Sequence, residues 1–286
     1  MPLYRADPRD GVAWITGAST GIGRALALRL AAEGYTVAAT ARSEENLASL
    51  AREASGLAGR VVAFPGNVTD EQAMAILVER IETEAGNIVL AVFNAGTYLA
   101  TRGERLHLPN FTNTFELNLL GAVNCLVPLT ERMRERGRGQ VAFVASVTGY
   151  FGWPAAAAYG ASKAALNNMA EALKFDFDKM NIRIQVINPG FVDTPLTQKN
   201  SFRMPALMPV ERAAERLAGA LRSGGFECSF PRRFTWLLKM LRLLPQPLRF
   251  RFINRVTGWD KRPLSTAKRA LPEREAAEET EAEERR

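Results

Sequence analysis

The stretch VAWITGASTGIGRALALRL (residues 12–30) decides the fold. Its first five residues, VAWIT (12–16), are a short apolar run rich in strand-forming side chains. Three glycines follow, Gly17, Gly21 and Gly23, and then apolar residues at helical spacing. Glycine at a strand-to-helix turn lets the backbone come close to a pyrophosphate. The helix N-terminus beyond it supplies free N–H groups and a partial positive charge. The spacing is G-x-x-x-G-x-G rather than G-x-G-x-x-G. Taken alone it also suits a tight connection, and its position after strand one and before an amphipathic helix favours the nucleotide reading.

Outward from this turn the chain repeats the same alternation as far as Phe230. Short apolar runs occur at TVAAT (36–40), VVAF (61–64), IVLAVF (88–93), QVAFVAS (140–146) and IRIQVIN (182–188), with FECSF (226–230) as an edge strand. They are apolar at successive positions, as strands of a parallel sheet covered on both faces are. Helical stretches are predicted at about 21–33, 44–54, 70–85, 110–135, 158–180 and 210–222. Asp70 and Pro209 start two of them, and Gly34, Gly86 and Gly137 stop others. The expected fold is α/β: a Rossmann-type, doubly wound, mostly parallel seven-stranded sheet with helices on both faces. Residues 1–230 form one catalytic domain in this reading, 231–271 an apolar-basic helical extension, and 272–286 a Glu-rich tail.

Composition narrows the function classes. Two cysteines, Cys125 and Cys228, exclude a disulfide framework and point to a reducing, cytoplasmic setting. Residues 1–11 carry four charged side chains and no apolar run, unlike a signal peptide, and no apolar stretch reaches spanning length. The net charge of +7 is a local property of the C-terminal region. Residues 231–270 hold eleven Lys or Arg and one acid, Asp260, whereas the last fourteen residues hold seven Glu and three Arg. No nucleic-acid module accompanies the charge, so no nucleic-acid partner is expected. A single histidine, His107, and the lack of a Cys/His cluster leave no metal site. His107 reads as a surface or packing residue, and Cys125, within an apolar helix, as a buried small hydrophobe.

A second constellation is Tyr159-Gly-Ala-Ser-Lys163. Positions i and i+4 share a helix face, so phenol and ammonium point the same way. A nearby ammonium favours phenolate and is expected to lower a tyrosine pKa from its usual value of about 10. Ser146, thirteen residues upstream, is expected to end the fifth strand at the sheet edge where ligands bind.

With these residues in place the chain resembles the short-chain dehydrogenase/reductase family over roughly residues 11–230. The matching motifs run in order: Thr16-Gly-Ala-Ser-Thr-Gly-Ile-Gly23, Asn94-Ala-Gly96, Asn118, Ser146, Tyr159 with Lys163, and Pro189-Gly190 followed by Thr194. The resemblance implies an oxidoreductase that transfers a hydride between a nicotinamide cofactor and a carbonyl or alcohol group. Tyr159 would be its acid/base, and Ser146 would hydrogen-bond the substrate oxygen. Lys163 would hold the nicotinamide ribose and depress the Tyr159 pKa, and Asn118 would hold a relay water. Gly17, Ser19, Thr20, Gly21, Ile22 and Gly23 would take the pyrophosphate side, with Asn67 and Val68 near the adenine. Asn94, Ala95 and Gly96 would line the adenosine-side wall, and Pro189, Gly190, Val192 and Thr194 the nicotinamide end. After strand three this chain carries Asn67-Val68 where the family usually has an aspartate.

Strand two is followed by Thr40-Ala41-Arg42-Ser43, with no carboxylate before Glu44. An acid there would bind a free ribose 2′-hydroxyl, whereas Arg42 suits a 2′-phosphate, so NADP(H) is expected over NAD(H). Segment 195–209, with Leu196, Phe202, Met204, Leu207 and Met208, reads as an adaptable substrate loop, and the substrate as lipophilic. In the extension, Phe234, Leu237, Leu238 and Leu241 follow helical spacing until Pro245 and Pro247 break it. It is expected to pack on the core or a partner subunit and close the cleft, or to touch a membrane surface through residues 231–259. A homodimer or homotetramer is expected. The reading from another class is a catalytically silent NADP(H) sensor or membrane scaffold, which needs no Ser146/Tyr159/Lys163 set.

Overall fold

The structure is a computed structural model and describes residues 3–198 and 204–264. Seven strands form one sheet: β1 (Val12–Thr16), β2 (Thr36–Thr40), β3 (Arg60–Ala63), β4 (Ile88–Phe93), β5 (Gly139–Val144), β6 (Ile182–Pro189) and β7 (Glu227–Phe230). Their order is β3-β2-β1-β4-β5-β6-β7, and every pairing is parallel, where the sequence suggested a mostly parallel sheet. Each residue of β1, β4, β5 and β6 is buried, as continuous apolar runs require when helices cover both faces.

Helices α1 (Gly21–Ala32), α2 (Glu44–Glu53), α3 (Glu71–Glu84), α4 (Leu108–Phe115), α5 (Gly121–Arg136), α6 (Ala157–Lys179) and α7 (Val210–Ser223) supply two cores. On one face Leu26, Leu30, Leu217 and Leu221 of α1 and α7 meet Ile15, Val37 and Val92. On the other, Met74, Ile81, Cys125, Leu129 and Leu166 of α3, α5 and α6 meet Trp14, Phe93 and Phe143. Burial of this kind is worth roughly 2 kcal/mol for each large apolar side chain. Asp70 caps α3 by accepting from the Ala73 N–H at 2.9 Å. Gly34, Gly86 and Gly137 follow helix ends with positive φ. Since the chain leaves β1 first toward β2 and later toward β4, a crevice opens beyond the carboxyl ends of these strands.

Two expected elements differ. The single helix predicted over 110–135 is α4 and α5 joined by a π-helical turn at Glu116–Leu120, where the Gly121 N–H reaches back to the Glu116 carbonyl. One extra residue is accommodated there, and Asn118 lies at its centre. Ser146 does not end β5, which stops at Val144. It caps a short 3-10 turn, Val147–Gly149, by accepting from the Thr148 N–H at 3.2 Å.

After β7 the extension forms α8 (Arg232–Arg242) and α9 (Gln246–Thr257). Pro245 separates them and precedes the first turn of α9. Helix α8 buries Leu238 and Leu241 against Val147, with Phe234, Tyr150, Phe151 and Trp153 packed around them. Leu237, expected on the same stripe, instead faces solvent, because the buried face is centred on Thr235, Leu238 and Leu241. Residues 265–271 of the extension, the Glu-rich tail at 272–286 and Phe202 lie outside the described residues.

Candidate active site

The glycine turn is held from behind by Asn94. Its side-chain amide donates to the carbonyls of Thr16 and Gly17, both at 3.1 Å. The N–H groups of Asn94 and Ala95 in turn donate to Thr16 Oγ1 at 3.1 and 3.2 Å. Gly17 has φ +66°, and a Cβ on it would lie 2.7 Å from Ala95 Cα. A Cβ on Gly23 would lie 2.3 Å from the Gly17 oxygen and 2.5 Å from Asn94 Nδ2. Helix α1 can therefore begin this close to β1 and β4 only on glycine. Among the described residues no side chain caps its N-terminus and no acid sits in its first turn, whereas α2 and α3 are both capped and carry Glu44, Glu45 and Glu71. The first-turn N–H groups of α1 are thus left for an anion from outside.

In front of this turn lies a cleft of about 360 Å³, within the range of small-ligand sites. Of the residues expected at a cofactor, Gly17, Ser19, Thr20, Gly21, Ile22, Arg42, Asn67, Val68, Asn94, Ala95, Gly96 and Thr194 line it. Gly23 sits behind the wall. Ala41, Ser43, Gly66, Leu117, Pro195 and Leu196 also line it; none is expected at the cofactor from the sequence, where Pro195 and Leu196 belong to the substrate loop. Arg42 is exposed on the wall, and Glu44 has turned away into the first turn of α2. An uncapped helix start, glycines where a Cβ has no room, and an exposed guanidinium on the wall together fit a dinucleotide.

Tyr159, Lys163, Ser146 and Asn118 gather at the β4–β5 edge of the same crevice. Lys163 is buried and donates to the Val144 carbonyl at 2.8 Å. Its Nζ lies 5.6 Å from the centre of the Tyr159 ring. A Cβ on Gly96 would stand 3.1 Å from Asn118 Oδ1 and 3.5 Å from Lys163 Nζ, so Gly96 is the place where the crevice floor meets these groups. Ser146 is held through its N–H, which donates to Asn188 Oδ1 at 3.1 Å. The Tyr98 ring meets that of Tyr159 edge-on at 5.3 Å.

The expected lowering of the Tyr159 pKa is not found. Burial pushes the phenol up to about 12, the Ser146 hydroxyl pulls it back in part, and Tyr98 adds a small upward push. Burial likewise lowers Lys163 to about 8. Helical spacing brings the two groups to one face but says nothing of desolvation, which dominates here. The Asn118 side chain spends both of its donors: it donates to the Thr97 carbonyl and to Ser162 Oγ, both at 3.0 Å, and accepts from the Thr97 N–H at 2.7 Å. Ser162 Oγ donates to the Tyr159 carbonyl at 2.8 Å, so Asn118 braces the helical turn that carries the tyrosine.

At the far end, buried Pro189 ends β6, and Val192 is buried with its backbone bridged to Met208. A Cβ on Gly190 would be 3.2 Å from the Phe234 ring, so α8 walls this end directly. Phe191 and Phe234 lie 6.1 Å apart, and Phe151 stacks on Trp153 at 5.2 Å. Glu227 fastens the wall: it accepts from Lys239 Nζ at 2.8 Å, from Asn188 Nδ2 at 3.0 Å and from the Tyr150 hydroxyl. Burial pushes its pKa up, but these three hydrogen bonds outweigh burial and leave it below the ordinary carboxylate value.

The short chain dehydrogenase family model matches residues 11–204. The chain belongs to the short-chain dehydrogenase/reductase family. It is 36% identical over 236 residues to an uncharacterized oxidoreductase of Myxococcus xanthus, covering 82% of this chain and 93% of that protein. It is 37% identical over 188 residues to a 3-oxoacyl-(acyl-carrier-protein) reductase of Thermotoga maritima, covering 66% and 76%. A short chain dehydrogenase from Burkholderia cenocepacia, solved in complex with NADP, superposes with a TM-score of 0.73 at 25% identity, covering 85% of this chain and 97% of that one. As a short-chain dehydrogenase/reductase the chain is an oxidoreductase acting on CH–OH or C=O groups with NAD(P), on small-molecule substrates, in a family that commonly forms oligomers. Among the described residues no helix is long and apolar enough to cross a membrane, and no cluster of His, Cys, Asp and Glu could hold a metal.

Proposed function

We propose that this chain is an NADP(H)-dependent oxidoreductase for a lipophilic carbonyl or alcohol, with Tyr159 as general acid/base. The observation that carries the reading is the meeting of Tyr159, Lys163 and Ser146 beside Gly96, which also lines the cleft in front of the glycine turn. When bound, the nicotinamide supplies or accepts the hydride. Tyr159 gives its proton to the substrate oxygen in reduction and takes one back in oxidation. A phenol held protonated well above neutral pH is the form that donates. Ser146, fixed by Asn188, holds the substrate oxygen beside that phenol. Of the three donors of Lys163 one is spent on Val144, and the others serve the ribose hydroxyls and the charge left on Tyr159 after transfer. With both amide hydrogens of Asn118 spent, a relay water at this residue donates to one of its oxygens and takes no hydrogen bond from the side chain.

Arg42 on the cleft wall, with no carboxylate in the same place, supports NADP(H) over NAD(H), as does the relative solved with NADP. Aromatic side chains around the reacting groups support a lipophilic substrate: Tyr98 stands edge-on to Tyr159, Phe151, Trp153 and Phe234 pack with Val147 next to Ser146, and Phe191 lies beside Phe234. Exposed Leu120 and Val127 near and on α5, and Phe175 on α6, support a homodimer or homotetramer. The two free cysteines support a cytoplasmic setting. Tyr159→Phe is the test. It should lower NADPH consumption with ketones by about 10² to 10⁴ while the NADPH dissociation constant stays within about threefold. Ordinary turnover in that variant overturns the reading. A wild-type chain that binds NADPH but leaves a broad panel of ketones, aldehydes and alcohols untouched favours the silent-sensor alternative.

A further inference from the structure

Helix α8 is apolar on two opposite faces. One holds Phe234, Leu238 and Leu241 against the protein. The other presents Trp236 at 64% and Met240 at 60% exposure, with Leu237 beside them and Leu243, 77% exposed, just past the helix end. Arg232, Arg233, Lys239 and Arg242 lie among these apolar side chains, and an exposed apolar strip interleaved with basic residues is the pattern of a helix lying at a membrane surface. In α9, Ile253 is buried, and Leu248, Phe252 and Val256 recur every four residues as an exposed stripe. Arg251 and Arg255 flank that stripe and are exposed. Both helices are fixed to the body of the protein. Lys239 binds Glu227, Arg249 lies over the Phe151 ring, and Trp259 sits between Arg102 and Arg262 at 5.0 Å from each. Their outer faces are thus presented as a preformed surface.

Charge decides what that surface meets. Residues 231–264 carry nine Lys or Arg and one acid, Asp260. A second copy docking face to face would bring like charges together, which costs affinity. An anionic bilayer matches both properties at once: the apolar stripe enters the acyl boundary while arginines at its edge reach the headgroups. We propose that α8 and α9 form a peripheral docking surface for membranes rich in anionic lipid. It sets the aromatic wall of the cleft against the lipid phase, where an apolar substrate is dissolved.

Flotation of the full chain with extruded vesicles tests this, using phosphatidylcholine alone and phosphatidylcholine with phosphatidylglycerol at about two to one. The chain should float with the mixed vesicles and at least about tenfold less with the neutral ones. Arg251→Gln with Arg255→Gln should lower partitioning about fivefold for each arginine. Trp236→Ser, Leu237→Ser and Met240→Ser together should abolish it, with NADPH affinity and light-scattering mass unchanged. All five positions are exposed, and unchanged NADPH affinity verifies that the variants fold. Flotation with neither vesicle, or a triple variant that floats like the wild type, overturns the proposal. So does a triple variant whose mass falls, which would make the occupant a second copy. The readout does not involve turnover, so an inactive Tyr159 and a failed docking surface are told apart.

Discussion

Lys163→Met should make the ligand-free protein gain stability on the wild type at neutral pH and lose that gain in alkali. The Lys163 ammonium is buried with one hydrogen-bond acceptor, the Val144 carbonyl, and burial lowers its pKa from 10.5 to about 8. At about 1.4 kcal/mol per tenfold, the difference weighs against the folded state by about 3 kcal/mol. Below pH 8 folded and unfolded chains both hold the proton, and the full cost applies. Between pH 8 and 10.5 the folded chain has released the proton while the unfolded chain keeps it, so wild-type stability rises. Above 10.5 the group is neutral in both and the cost is gone. Methionine removes the cost at every pH and leaves the Val144 carbonyl unpaired, a constant penalty of about 1–3 kcal/mol. Urea unfolding of both proteins from pH 7 to 10.5, compared as a difference so that shared titrations cancel, should show the gap moving by about 3 kcal/mol in favour of the wild type. The variant should also lose turnover. A gap constant to within about 0.5 kcal/mol would refute the reasoning, because Lys163 would then keep its ordinary pKa in the fold.

Gly23→Ala drives a methyl group onto the Gly17 oxygen and the Asn94 amide. NADPH affinity, read by fluorescence titration, should fall at least about tenfold with a loss of about 1–3 kcal/mol in stability. Arg42→Ser should weaken NADPH about ten- to a hundredfold and leave NADH within about threefold, so equal losses for both would remove Arg42 from the 2′-phosphate. Glu227→Gln loosens α8 and should raise KM for apolar ketones about fivefold at unchanged NADPH affinity. The Glu227 pKa in the fold lies below its ordinary 4.5, so the fastening it provides is complete above pH 4.5 and is lost as pH falls through the lower folded value. Protection factors for amide hydrogen exchange along α8 should therefore fall in acid for the wild type and not for the variant.

Much of the sheet was legible because β1, β4, β5 and β6 are buried on both faces and read as unbroken apolar runs. The glycine turn was legible because only glycine fits at Gly17 and Gly23. The π turn was not: nothing local distinguishes 116–120 from ordinary helix, and Asn118 is held there by Thr97 and Ser162, distant in sequence. The strand ends two residues before Ser146, the residue expected to close it because apolar character continues past the last β5–β6 ladder pair at Val144 and Ile187. The direction of the Tyr159 shift failed for a related reason, since spacing reports neighbours and not depth. Leu237 shows the limit of periodicity in a helix that is apolar on two sides: the pattern cannot say which side the protein takes.

Three braces of the reaction centre end on main-chain oxygens. Asn94 reaches the carbonyls of Thr16 and Gly17, Asn118 that of Thr97, and Lys163 that of Val144. A carbonyl has no codon of its own. Whatever side chain is installed at 97 or 144, the acceptor stays, provided the strand or loop keeps its path. The machinery is thereby insulated from drift in its surroundings, while the aromatic wall and α8, built from side chains alone, are open to revision. New substrates can be reached by rewriting the wall, with the proton-handling groups left in place.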